Sequence, residues 1–227
     1  PDKLKVPVED IELMLTANDD AVKVNSFSAR LANANIKAFG NAKNIFATPV
    51  ISMNLEGNVQ GAKDFAAAVL SGKQYIDGNI TVSFDGSMSG KESGEILRTL
   101  SGTGKFSLEK GVLVETNLLK QSLDALDMFP GLLDKVNGFL PATLKESLGK
   151  PYTVLKPVSQ SFHVKNGAVD LPGLEVKTDF ADIRGNAGMT LQGDLTGSGE
   201  IIFSGEFSNA MIKAVPEISY LADTNKI

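Results

Sequence analysis

Strict alternation of apolar and polar side chains constrains this chain more than any other feature. "VISMNLEGNV", residues 50–59, sets Ile51, Met53, Leu55, Gly57 and Val59 against Ser52, Asn54, Glu56 and Asn58. "NITVSFDGSMSG", residues 79–90, repeats the pattern with Ile80, Val82, Phe84, Gly86 and Met88. "IELML" gives Ile11, Leu13 and Leu15, and "ANIKAFG" gives Ala34, Ile36 and Ala38. Successive side chains of a strand point to opposite faces, so each segment makes one dry and one wet surface. Repeated along a chain, this period predicts an antiparallel sheet.

The turns agree. Asn18-Asp19-Asp20 separates two alternating runs, and these residue types hydrogen-bond their own backbone in turns. "SFHVKNGAVDL", residues 161–171, reads as a hairpin, with Asn166-Gly167 suited to a two-residue type I′ turn. "LEVKTDFADIRGNAGMTLQGDL", residues 174–195, supplies two more strands, with Ile183, Gly185, Ala187, Met189 and Leu191 on one face. "GSGEIIFSGEF" supplies another. The 22 Gly and the absence of Trp suit many short strands joined by tight turns.

Three segments leave the two-residue period. "DFAAAVLSG" predicts a short helix with Asp64 as N-cap and Gly72 just past its end. "NAMIKAV" predicts another, capped by Asn209 and stopped before Pro216. The longest runs from Asn117 to Gly149. In it Leu119, Leu123, Leu126 and Phe129 fall at helical spacing, followed by Leu132, Leu133, Val136, Phe139 and Leu140. Pro130-Gly131 breaks the run, because proline lacks the amide and clashes with the preceding turn. The expectation is an amphipathic helix pair and a short third helix around Leu144. An apolar stripe must be buried. Here it caps or covers the sheet, or it gates an apolar cavity.

The expected architecture is therefore mostly β with a few helices. Residues 1–94 carry strand repeats with one short helix. Residues 95–227 carry the helical insertion at about 117–148. Both belong to one continuous sheet, read as a fragment of a longer chain. With 42% hydrophobic and 22% charged residues, the composition is that of a folded body. The net charge is -5 and Lys and Arg are scattered, which argues against nucleic acid as a partner. Without cysteine there is neither a disulfide framework nor a thiolate metal site. No apolar run reaches the length of a membrane-spanning helix.

"LSGTGKFSLEKG", residues 100–111, superficially suggests a phosphate-binding loop. The Walker pattern needs glycine where Thr99 stands and Ser or Thr where Phe106 stands. A dinucleotide fingerprint needs glycine or alanine at Ser107. A strand fits better, with Leu100, Gly102, Gly104, Phe106 and Leu108 on one face. Glu109-Lys110-Gly111 is then expected to turn the chain into a further strand, "GVLVETN". "LTGSGEIIF", residues 195–203, shares the Gly-x-Gly pattern and suggests a short internal duplication.

Together with the Leu-rich segment after it, this stretch resembles the AsmA-like C-terminal domain of bacterial envelope proteins. The family pattern is a Gly-x-Gly strand, a Gly turn, a second strand and a Leu-rich amphipathic helix. Here these are Gly102 and Gly104, Gly111, Val112 to Val114, and Leu118 onward. The succession of strands from Pro151 to Phe203, with its Asn-Gly turn, is similar too. The resemblance covers roughly residues 95–227, and residues 1–94 share the strand style less specifically. The family usually continues for further strands beyond a point matching Ile227, so a sheet edge or groove end is expected to be incomplete.

The resemblance implies a long curved antiparallel sheet, folded into a half-open trough with an apolar concave face. It implies a periplasmic protein held in the inner membrane by an N-terminal anchor that this chain lacks. The implied partner is phospholipid or another acyl-chain lipid, moved between inner and outer membrane without enzymatic chemistry or cofactor. Groove candidates are then Ile51, Met53, Leu55, Ile80, Val82, Phe84, Met88, Phe106, Leu108, Met189 and Leu191. The helix apolar face is Leu119, Leu123, Leu126, Phe129, Leu133, Val136 and Phe139.

Catalytic constellations are missing from the sequence. His163 is the only histidine, among polar neighbours in a predicted strand. No second histidine supports a zinc site, and no G-x-S-x-G elbow supports a hydrolase. Asp19 and Asp20 lack the spacing of a calcium loop. Two further readings stand beside lipid transfer. One is a structural or assembly module with a closed core and protein partners. The other is a hydrolase built around His163, which requires an acid and a nucleophile beside it.

Overall fold

Hairpins organise the chain from its first described strand onward. The computed structural model describes residues 6–69, 75–125, 131–190 and 194–216. The strands are β1 (Val8–Asn18), β2 (Ala21–Leu31), β3 (Ala34–Lys43), β4 (Val50–Val59), β5 (Ile76–Ser89) and β6 (Ser101–Leu113). They continue with β7 (Thr153–Val154), β8 (Val158–Lys165), β9 (Ala168–Lys177), β10 (Ala181–Met189) and β11 (Leu195–Phe203). All eleven join one antiparallel sheet in sequential order, with β7 a short addition on β6. The sheet is open, with β1 and β11 at its two edges. Each hairpin keeps the next strand in the register its alternation demands, since a one-residue slip would turn every apolar side chain to water.

The helices are α1 (Ala62–Val69), α2 (Ser93–Thr99), α3 (Leu118–Ala125), α4 (Leu132–Phe139), α5 (Ala142–Leu148) and α6 (Gly205–Ala214). Four of them gather at one end of the sheet. Leu119 and Leu123 of α3, Val136 of α4 with Leu140 at its C-cap, and Leu144 of α5 bury themselves there. With them pack Phe207, Ala210, Met211 and Ala214 of α6, and Phe180 and Ala181 at the start of β10. Phe207 stands at the centre, touching the rings of Phe180 and Phe203. A smaller core of Leu108, Leu155 and Val158 adjoins Ile80, Phe106, Leu113 and Val176.

The predicted turns at Asn18–Asp20 and Asn166-Gly167 are present. Asn166 and Gly167 have φ of 52° and 76°, the positive pair that a type I′ turn requires. Of the expected break at Pro130-Gly131, Pro130 lies outside the described residues, and Gly131 takes the left-handed region before α4. A third helix does surround Leu144.

Other expectations need correction. Glu109-Lys110-Gly111 does not reverse the chain: β6 runs straight through it for 13 residues. Lys110 takes φ of 53° and the register against β5 shifts there. The polar triplet is a bulge, which kinks a strand without ending it. Val112 and Val114 therefore do not open a second strand. Pro172 likewise lies inside β9, at a register shift against β10, where no ladder amide is demanded of it. Helix α6 starts four residues before Asn209, capped by the Ser204 hydroxyl, which accepts a hydrogen bond from the Phe207 amide. Asp64 lies in the first turn of α1 and does not cap it. Helix α2 has no counterpart among the predicted elements.

Candidate functional site: an uncovered apolar face

Register turns the alternation of each strand into one face. Across the middle of the sheet Phe27 pairs with Ala38, Ala38 with Leu55, Leu55 with Phe84, Phe84 with Gly104, and Gly104 with Phe162. Parallel rows run Ala42–Ile51–Met88, Gly57–Val82–Phe106, and Val59–Ile80–Leu108–Val158. Met53 joins Gly86, Gly102, Val164, Val169 and Met189 in another. Ten groove candidates, Ile51, Met53, Leu55, Ile80, Val82, Phe84, Met88, Phe106, Leu108 and Met189, thus share this face. Leu191 lies outside the described residues, as do Leu126, Phe129, Gly72 and the side chain of Leu133.

The centre of the face is shaped by glycine. Phe84 and Phe162 stack with ring planes 3° apart and centroids 6.1 Å apart. They flank Gly104, where a β-carbon would collide with the Phe162 ring and the Ser83 carbonyl oxygen. At Gly102 a β-carbon would meet the Asp85 carbonyl and the Phe84 ring. Glycine within a strand marks a bend or a close approach of neighbouring backbone. The central strands therefore bend at these glycines, and the two rings lie in the space the missing side chains leave. The open, curved sheet is a trough.

Little covers it. The helices concentrate their apolar side chains at one end, in the core around Phe207. Over β1, Ile11 and Leu13 remain 60% and 55% exposed. Met189 of β10 and Ile201 of β11 are also exposed. Most apolar-face side chains between them are only half buried. The accessible surface of 14463 Å² far exceeds the roughly 9,900 Å² of a close-packed monomer of this mass.

Of the helix candidates, Leu119, Leu123 and Val136 are core residues, fully withdrawn from solvent. They stabilise the end of the trough and do not line it. Phe139 is 51% exposed, because Val136 of α4 and its C-cap Leu140 turn to the core and leave Phe139 on the outer side. Alternation also marks side chains left out of the candidate set: Leu13, Val24, Phe27, Ile36 and Phe162 lie on the same face.

The opposite face is polar and paired. Arg30 bridges Glu9 and Asp10 at 2.9 and 2.8 Å. Arg184 meets Glu175 at 3.0 Å and Asp182 at 3.6 Å. The Arg184 hydrogen bond, supported by Lys177, holds the Glu175 carboxyl below the usual carboxylate range. Depressions of about 540 and 600 Å³ on this side are rimmed by Asn54, Asp85, Lys105 and His163, and by Lys37, Glu56 and Thr81. His163 is exposed, with Thr103 and Asp170 opposite it in the register, and no hydrogen bond joins the three side chains. Among the described residues no group of His, Asp and Glu is arranged to hold a metal. No helix among them is long and apolar enough to cross a membrane.

Comparison with protein-family models, with curated proteins and with solved structures gave no match.

Proposed function

We propose that the chain is a non-enzymatic lipid-holding domain of the bacterial cell envelope, of the AsmA-like kind. In this reading it is periplasmic, and it binds or conducts phospholipid between inner and outer membrane. One observation carries it: a continuous apolar face crosses the sheet with no second layer of described residues over most of it. A sheet with one apolar face covers it with another layer or with an apolar ligand. An acyl chain laid along the trough gains about 0.8 kcal/mol per buried CH₂. Its headgroup stays in water at the open rim. The competing reading is an assembly module that adds a partner's strand at β1, every residue of which is exposed.

The test is mass spectrometry of solvent extracts from the purified chain, beside an unrelated β-protein prepared identically. The trough predicts stoichiometric phospholipid, lost in Val82→Asp and kept in Ser83→Asp, whose side chain faces the other way. No enrichment over the control protein contradicts the reading.

A further inference from the structure

The end of the trough away from the helical cap is built differently from the rest of the surface. Three connections meet there: the β1–β2 turn, the β3–β4 loop of residues 44–49, and the residues leading into α2. They are tied together. The Ile45 amide donates to the Asp20 carbonyl at 3.4 Å and the Phe46 amide to the Asp20 carboxylate at 3.1 Å. The Gly90 amide donates to the Pro49 carbonyl at 3.2 Å. Within this fastened loop Phe46 is 82% exposed, more than any other large apolar side chain described. Val50 and Leu97 are exposed beside the same loops. A ring on an anchored loop, projecting past its neighbours, finds no cover within the described molecule.

We infer that this end docks on a lipid bilayer, with Phe46 inserted at the interface. Three features select a bilayer over a protein partner. A single projecting ring with two smaller neighbours offers no groove or extended flat patch for a shaped partner, whereas fluid lipid needs no shape complement. The apolar row Ala42–Ile51–Met88 begins immediately inside the loop, so an acyl chain leaving the bilayer beside Phe46 has apolar surface directly behind it. Charges around the site are of mixed sign, three cations (Lys43, Lys91 and Arg98) and four carboxylates (Asp19, Asp20, Glu92 and Glu95). Attachment is therefore apolar and interfacial, and does not need anionic lipid. The role as an entry or exit point rests on the lipid-trough reading.

The chain contains no tryptophan, so Phe46→Trp places one indole at the proposed contact. Phe39→Trp places one on the polar face, where Phe39 is itself exposed. Each is titrated with phosphatidylcholine vesicles. Docking predicts a blue shift of the Phe46→Trp emission and protection from an aqueous quencher, with Phe39→Trp unchanged. No shift at either position overturns the inference, and so does an equal shift at both, which would mean that the polar face adheres. A shift at position 46 only, in protein whose extracts hold no phospholipid, supports docking and contradicts the trough. Phospholipid in the extracts with no shift overturns docking and leaves the trough standing.

Discussion

Gly104 shows how much one residue determines here. Its missing β-carbon lets the Ser83 carbonyl approach and leaves room for the Phe162 ring. Gly104→Ala forces both to move, an overpacking cost of about 1–3 kcal/mol. Denaturant unfolding measures it, and an unchanged midpoint would mean that the strands do not bend there as described. The same position marks the limit of the sequence. Alternation assigned Gly102, Gly104 and Phe106 to one face, and the spacing of the glycines ruled out a phosphate loop. It carried no sign that Phe84 and Phe162, 78 positions apart, would stack over Gly104. That contact depends on the registers of two different strand pairs, β5 with β6 and β6 with β8.

At the scale of elements, long alternating strands were legible and their interruptions were not. Strands β3, β4 and β5 follow directly from their period. Lys110 in β6 and Pro172 in β9 look like strand ends, yet bulges absorb both within a single strand. A turn and a bulge call on the same residue types, and pairing with a neighbouring strand decides between them. Helix α2 is seven residues long with no buried side chain, so it has no apolar stripe to read. The β9–β10 pair also carries a pH-dependent contribution. Glu175 and Arg184 are cross-strand partners, and the Glu175 carboxyl is held low, first by the Arg184 hydrogen bond. A depressed carboxylate stabilises the fold fully above its unfolded value, about 4.3 for Glu. That contribution fades as pH falls through the lower folded value. Glu175→Gln is therefore expected to lower stability slightly at neutral pH, and not once the carboxyl is protonated in both the folded and the unfolded chain. Because the pair is exposed, added salt shrinks the difference. Equal unfolding midpoints for the two proteins at neutral pH and low salt would contradict this.

At the scale of the molecule, the chain divides its work between two kinds of packing. The helical end holds the dense core, centred on Phe207, and the apolar stripes of the insertion are spent there. Those stripes were legible as helices that must be buried. Whether they would cap or gate was not, because that depends on α6, far downstream in the chain. The rest of the sheet presents its apolar face with little of the described chain above it, and the proposed function turns on what occupies that space. The most direct measurement is photo-crosslinking in phosphatidylcholine vesicles, with a benzophenone amino acid placed at position 106 or at position 39. Phe106 lies on the apolar face and Phe39 on the polar one. A lipid-holding trough predicts a phospholipid adduct at 106 and none at 39. Adducts absent at 106, or equal at both positions, would contradict it.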